Sequence, residues 1–248
     1  MARPDLSGRR FDAVVFDLYG TLVPEFPRAE FFAAVDAAAR VLGADPEAFR
    51  EAWLDTAIER QTGAYEDGMP GNVRAVCRAI GLDDPPDDLV HLALAPRSEL
   101  YRRWFHPRPG AADTLRTARE RGYPVGLISM CAPDTPPMWR ALELAPLVDV
   151  AVFSSESGLR KPDAAIYLRC CEGLGVDADR ILYCGDGSYG ELSGAERVGM
   201  AAVEIRDPDV DVATQLRPEA EEWSGPWVGD LRELLAWLPG RAPAADDP

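Results

Sequence analysis

Residues 12–23 read DAVVFDLYGTLV. The run Asp12–Leu18 sets β-branched and aromatic residues side by side, as in a parallel strand buried on both faces. Asp17 is the last residue of this run able to face a ligand crevice. Gly20 permits a tight turn after it, and Thr21 offers a hydroxyl and an N–H to an anion. The bland alternative is a strand that simply ends in a turn. The sequence D-x-x-G-T-L argues against it.

Four further runs of the same kind follow: Tyr123–Ser129, Val150–Ser155, Ile181–Asp186 and Ala201–Arg206. Helical patterns at Asp113–Arg121, Asp163–Leu174 and Glu191–Val198 separate them. This alternation predicts an open, doubly wound parallel α/β sheet with helices on both faces, with ligands at the carboxyl ends of its strands.

The first two strands are separated by a long stretch without strand signal. Phe31, Val35, Ala38 and Leu42 stripe one helix, which Gly43 ends. Asp45 and Pro46 open a second, striped by Phe49, Trp53 and Ala57. Val73, Val76, Cys77 and Ile80 stripe a third, closed by Gly81. A fourth spans Asp87–Phe105, with a kink expected at Pro96. Four amphipathic helices can pack as a bundle, with Trp53 and Trp104 in its core. Pro24 and the segment His106–Gly110 are its hinges. The expected division is a discontinuous core of residues 1–23 and 107–248 and a helical lid of residues 24–106. The acidic, proline-rich tail from residue 207 carries one more expected helix near Gly229–Leu238. Trp223 and Trp227 are expected to tether the tail, and its last seven residues to fray.

Length and charge narrow the function. At roughly 100–200 residues per domain, 248 residues make one large domain or a domain with an insert. The net charge of −16 repels nucleic-acid phosphates and anionic lipids, so neither partner is expected. No stretch is long and apolar enough for a transmembrane helix. Five cysteines without a CxxC spacing suit a reduced, cytoplasmic protein. Cys131 and Cys184 read as buried, inert thiols. Lys161 is the single lysine among 26 basic residues. Its solitude suggests a place where a compact ammonium is required rather than a guanidinium.

The other strand ends carry chemistry too. Ser129 ends the second strand and can donate its hydroxyl to a phosphate oxygen. Asp186 ends the fourth and is expected beside the end of the first. Glu191 opens the following helix, where an acid is favourable in any case. In order, Asp17 with Gly20 and Thr21, then Ser129, then Lys161, then Gly185-Asp186 with Glu191 match four motifs. The chain therefore resembles the haloacid dehalogenase-like (HAD) hydrolase superfamily, in the subgroup whose cap is inserted after the first motif. The resemblance implies a Rossmann-like core with an all-helical cap domain and a covalent aspartyl intermediate on Asp17. Thr21, Ser129 and Lys161 would hold the oxygens of the transferred group. In the metal-dependent branch Asp17, the Tyr19 carbonyl, Asp186 and Glu191 would bind Mg²⁺. Independently, three close carboxylates require a cation, and hard oxygen ligands suit Mg²⁺.

One position departs from the pattern. Phosphatases of the superfamily usually carry a second aspartate two residues after the nucleophile; here Tyr19 stands there, as in its haloacid dehalogenases. Those dehalogenases resemble one another in having asparagines in the second and fourth motifs. The single asparagine of this chain, Asn72, lies in the lid, and Asp186 would serve a metal-free enzyme nothing. The absence of a lid lysine excludes Schiff-base phosphonate cleavage. A phenol of pKa about 10 donates a proton but rarely accepts one at neutral pH, so His106 or Glu66 of the lid are candidate proton donors. Arg60, Gln61 and Tyr65 are candidate substrate readers beside Gly20 and Met130. Arg160 either orients an anionic substrate or faces solvent. The expected function is a Mg²⁺-dependent phosphatase of a small phosphorylated metabolite, as a monomer or homodimer. A 2-haloacid dehalogenase and a weakly active or non-catalytic phosphometabolite sensor are the alternatives.

Overall fold

The apolar runs become strands of one sheet. The computed structural model describes residue 6, residues 8–207 and residues 211–240. β1 (Ala13–Phe16) leads into the helical insert: α1 (Arg28–Val41), α2 (Pro46–Asp55), α3 (Ala57–Gln61), α4 (Gly68–Ala79) and α5 (Asp87–Trp104). α6 (Ala111–Glu120), β2 (Val125–Ser129), α7 (Thr135–Ala141), β3 (Val150–Phe153), α8 (Ser154–Ser157) and α9 (Ala164–Leu174) follow. β4 (Ile181–Gly185), α10 (Glu191–Arg197), β5 (Ala201–Ile205) and β6 (Trp227–Val228) complete the core.

The sheet order is β3-β2-β1-β4-β5-β6, with every neighbouring pair parallel. Phe16 of β1 lies opposite Leu127 on one side and Cys184 on the other. The chain winds outward from β1 to β3, then restarts at β4 on the far side. β1 and β4 thus flank the switch point, where open α/β sheets bind ligands.

Alternation along β1 fills two layers. Val14 and Phe16 pack with Leu115 of α6 and with Leu231 and Leu234 of the tail. Ala13 and Val15 pack on the opposite face with Ile166 and Cys170 of α9 and Leu192 of α10. A third apolar cluster belongs to the insert: Val35 and Ala39 of α1, Phe49 and Trp53 of α2, Val73 and Val76 of α4 and Val90 of α5. The helical stripes read from the sequence meet there.

Several expectations change. α2 stops at Asp55 and Ala57 opens a separate short helix, because Thr56 leaves helical geometry (φ −93°, ψ 11°). α5 continues through Pro96, held along its length against α1. Trp104 is half-buried at the seam between insert and sheet, not in the insert's core, and its indole donates to Glu30 Oε2 at 3.0 Å. In the tail, Leu231–Ala236 forms 3₁₀ rather than α turns, opened by Asp230 and Glu233 as a reciprocal cap. β6 went unread because two residues carry no periodicity. Trp223 packs on the α9–α10 side of the sheet, and Trp227 enters β6. The terminal APAADDP segment lies outside the described residues. Among the described residues no helix is long and apolar enough to cross a membrane.

Phe49 is fully buried at the centre of the insert. Phe49→Ala is expected to cost about 3–5 kcal/mol of stability, read as a lowered midpoint in chemical denaturation.

Candidate active site

Because β1 and β4 are hydrogen-bonded neighbours, their terminal aspartates meet. The Asp17 backbone N–H donates to the Cys184 carbonyl at 2.9 Å. Asp17, Asp186 and Glu191 are all buried, and one carboxylate oxygen of each lies within 4.8 Å of the others. Two glycines make this crowding possible. A Cβ on Gly185 would lie 2.1 Å from Glu191 Oε1. Gly20, at φ +73°, would place a Cβ 2.8 Å from Asp186 Oδ2. Each approach excludes any larger residue.

Lys161 supplies the nearest positive charge. Its Nζ lies 2.5 Å from Asp17 Oδ1 and 2.5 Å from Glu191 Oε2. Glu191 also accepts from the Tyr183 hydroxyl at 2.7 Å and the Gly187 N–H at 3.0 Å. Asp186 accepts from the Ser188 N–H (2.9 Å) and hydroxyl (3.0 Å) and from Arg217 Nε (3.1 Å). The Thr21 hydroxyl donates to Asp17 Oδ2 at 3.3 Å.

Burial pushes the Asp17 carboxyl up, and Asp186 adds to this while Lys161 opposes it. Burial likewise raises Glu191, with Asp17 reinforcing and Lys161 opposing. For Lys161 burial acts downward, but Asp17 and Glu191 together more than offset it and hold the ammonium protonated. The cluster therefore retains unmet demand for positive charge.

A cavity of about 340 Å³ opens above Asp17 and Glu191, between sheet and insert. Of the residues singled out in the sequence, Asp17, Tyr19, Met130, Arg60, Gln61, Cys131 and Glu191 line it. Thr21, Ser129, Lys161 and Asp186 are buried at the strand ends. The Ser129 hydroxyl has no hydrogen-bond partner among the described residues, an orphan that a ligand oxygen would satisfy. The remaining candidates lie elsewhere. Arg160 is exposed and faces Asp163 at 3.4 Å. Tyr65, Glu66 and His106 do not line the cavity, and the last two are exposed. Cys131 is buried, its thiol pushed up to about 11 by desolvation, and Cys184 is driven up the same way.

Tyr19 belongs to the seam. Its ring packs 5.4 Å from Phe26 and 5.9 Å from Phe105, centroid to centroid. Its hydroxyl lies 2.8 Å from Thr135 Oγ1 and 3.3 Å from the Tyr101 hydroxyl. Burial and the neighbouring Tyr101 raise its pKa well above the ordinary phenol value. Arg97 of α5 donates to Tyr101 (2.5 Å) and clamps Asp134 with both Nε (2.6 Å) and Nη2 (3.0 Å). The insert is thereby tied to the segment after β2.

Arg60 stands on the insert side of the cavity. Its guanidinium lies 3.8 Å over the Trp53 ring, and Nε donates to Thr56 Oγ1 at 3.1 Å. Asn72 donates to the Arg60 backbone carbonyl at 3.3 Å. Among the described residues no carboxylate lies within ion-pair distance of Arg60. Burial first and Arg97 second lower its pKa to about 9.

Three residues of the site carried no signal in the sequence. Arg217, from the tail, donates to the Asp186 carboxylate and carbonyl. Arg108, in the hinge after the insert, donates to the Gly20 carbonyl and to Asp207 Oδ2 (2.6 Å). Glu25 lines the cavity six residues beyond Tyr19.

The model of haloacid dehalogenase-like hydrolases matches residues 11–199. The chain belongs to this hydrolase family. It is 27% identical over 202 residues to glyceraldehyde 3-phosphate phosphatase of Methanopyrus kandleri, covering 78% of this chain and 83% of the relative. It is 26% identical over 199 residues to (S)-2-haloacid dehalogenase 4A of Burkholderia cepacia, covering 78% and 82%. The fold matches that of 2-haloacid dehalogenase from Pseudomonas syringae with a TM-score of 0.62 at 22% identity, covering 92% of this chain and 98% of that one. In this family the helical insert after β1 is a cap. The donor set also passes a test for a divalent cation: three buried carboxylates converge with a single lysine between them, and all-oxygen donors suit a hard ion.

Gly20→Ala forces a side chain into a left-handed conformation against Asp186. It is expected to cost about 1–2 kcal/mol from backbone conformation alone. Chemical denaturation should show this loss as a lowered midpoint.

Proposed function

We propose that this HAD hydrolase is a Mg²⁺-dependent phosphatase of a small phosphorylated metabolite. The observation that carries the reading is the convergence of Asp17, Asp186 and Glu191 in one buried cluster. Asp186 and Glu191 supply negative charge that attack on a haloalkane carbon has no use for. Arrayed around a divalent cation, the same charge suits a phosphoryl group. The phosphatase relative supports the same side.

Asp17 attacks phosphorus and forms a phosphoaspartyl intermediate. Lys161, the Thr21 hydroxyl and the orphan Ser129 hydroxyl hold the phosphoryl oxygens. Asp17, the Tyr19 carbonyl, Asp186 and Glu191 would hold Mg²⁺, which when bound supplies charge neutralisation for the phosphoryl group. The cap closes the cavity over the substrate and limits water, which restricts the substrate to small molecules. Arg60 is a buried cation without a carboxylate partner, so the favoured substrate carries a second anionic group beside its phosphate. Met130 contributes a wall to the pocket, Gly20 borders the neighbouring space instead, and Arg160 and Tyr65 have no part in either.

Release of phosphate and halide, each measured with Mg²⁺ and with EDTA, tests the reading. Phosphate release that requires Mg²⁺ and falls ~10³-fold or more in Asp17→Asn is expected. Chloride release that persists in EDTA would replace this reading with the dehalogenase. Ligand-induced thermal stabilisation without turnover would replace it with a sensor. Arg60→Gln should raise KM for a carboxylate-bearing phosphate ester by about 10–100-fold, the worth of a charged hydrogen bond, and leave KM for an uncharged ester nearly unchanged.

A further inference from the structure

Hydrolysis of an alkyl phosphate needs a proton for the departing oxygen, and the position usual for its donor is occupied by Tyr19. That phenol borders the cavity, but its hydroxyl is engaged by Thr135 and Tyr101 and burial raises its pKa well above the ordinary phenol value, which makes it a poor proton donor. His106 and Glu66 are exposed and stand outside the cavity. Asp55 and Glu219 border it but are themselves exposed to solvent.

Glu25 differs from all of these. It lies on the segment that leaves β1, and it lines two spaces at once. One is the cavity above Asp17. The other, of about 250 Å³, is bordered by Gly20, Asp186 and Arg217. Its Oε1 accepts the Phe26 backbone N–H at 2.7 Å, which fixes the carboxyl at that junction. Among the described residues no other hydrogen bond or ion pair engages it, so Oε2 is available.

On the phosphatase reading, we propose that Glu25 is the general acid and base of the reaction, in place of the absent second aspartate. In the first step a bond forms from the Asp17 carboxylate to phosphorus as the bond to the ester oxygen breaks. That oxygen takes the Glu25 proton and leaves as an alcohol. In the second step the Glu25 carboxylate takes a proton from water. The water oxygen bonds to phosphorus as the phosphoaspartyl bond breaks, which releases phosphate and restores both side chains. The resting state suits the role: burial, then the charges of Asp186 and Asp17, hold the Glu25 carboxyl well above the usual carboxylate range. Burial leads, so a cation on the aspartates would leave the main cause in place.

The test is the dependence on the leaving group. Phosphate release is measured with glycerol phosphate, whose alkoxide needs a proton, and with p-nitrophenyl phosphate, whose phenolate does not. Glu25→Gln is expected to lower kcat about 10²–10⁴-fold on the alkyl ester but to leave the first p-nitrophenolate released per molecule of protein, read as a pre-steady-state burst, nearly as fast as in the wild type, because only the later hydrolysis of the shared phosphoaspartyl intermediate needs the base; Glu25→Asp recovers part of the alkyl rate. A merely structural role slows that burst as much as it slows alkyl turnover, and that result would overturn the inference, as would an unchanged alkyl rate. In either case Asp17→Asn still abolishes release from both esters if the phosphatase reading stands. Wild-type protein that hydrolyses neither ester would sink the reading and the inference together.

Discussion

One ammonium holds the site together. Lys161 sits between Asp17 and Glu191, and Arg217 sits on Asp186, so two cations face three buried carboxylates. Removing charge from water is costly, and a buried ion persists only when paired. An ammonium on a flexible stem can touch two carboxylates that approach from different elements, which a planar guanidinium does less readily. Every other member of the chain's 26 lysines and arginines is an arginine. The remaining excess of negative charge is what a hard cation would neutralise.

Backbone geometry sets the distance over which those charges act. The parallel pairing of β1 and β4 brings Asp17 and Asp186 to the same edge. Gly20 and Gly185 then let neighbouring side chains approach where a Cβ would collide. Arg108 braces the Gly20 carbonyl, so the turn after Asp17 is coupled to the point where the insert rejoins the core.

The same economy of space explains Tyr19. Its ring completes an aromatic seam with Phe26, Phe105 and Tyr101, which Arg97 and Asp134 tie to the core. The ring borders the cavity, while its hydroxyl is engaged by Thr135 and Tyr101. The joint gains apolar area and fixed hydrogen bonds.

The amino-acid order alone determined the elements whose signals are local. Continuous apolar runs mark the five main strands, and 3.6-residue stripes with glycine stops mark the helices of the insert. The order of Asp, Ser and Asp at strand ends, with Lys161 between the third and fourth strands, marks the family. These are legible because hydrophobic periodicity and turn chemistry act between residues close in the chain. Even the inward course of Lys161 was legible, from its uniqueness. The opposite course of its neighbour Arg160 was not, since adjacent side chains turn to different surroundings once the chain is packed. Only the tertiary structure decided that Arg217 returns from an acidic, proline-rich tail to Asp186, that Arg108 reaches Gly20, and that Glu25 rather than His106 or Glu66 borders the cavity. These contacts join segments distant in sequence, and no periodicity in either partner records them; they exist because the sheet order and the docking of the insert leave each charged group one low-cost place to find its partner.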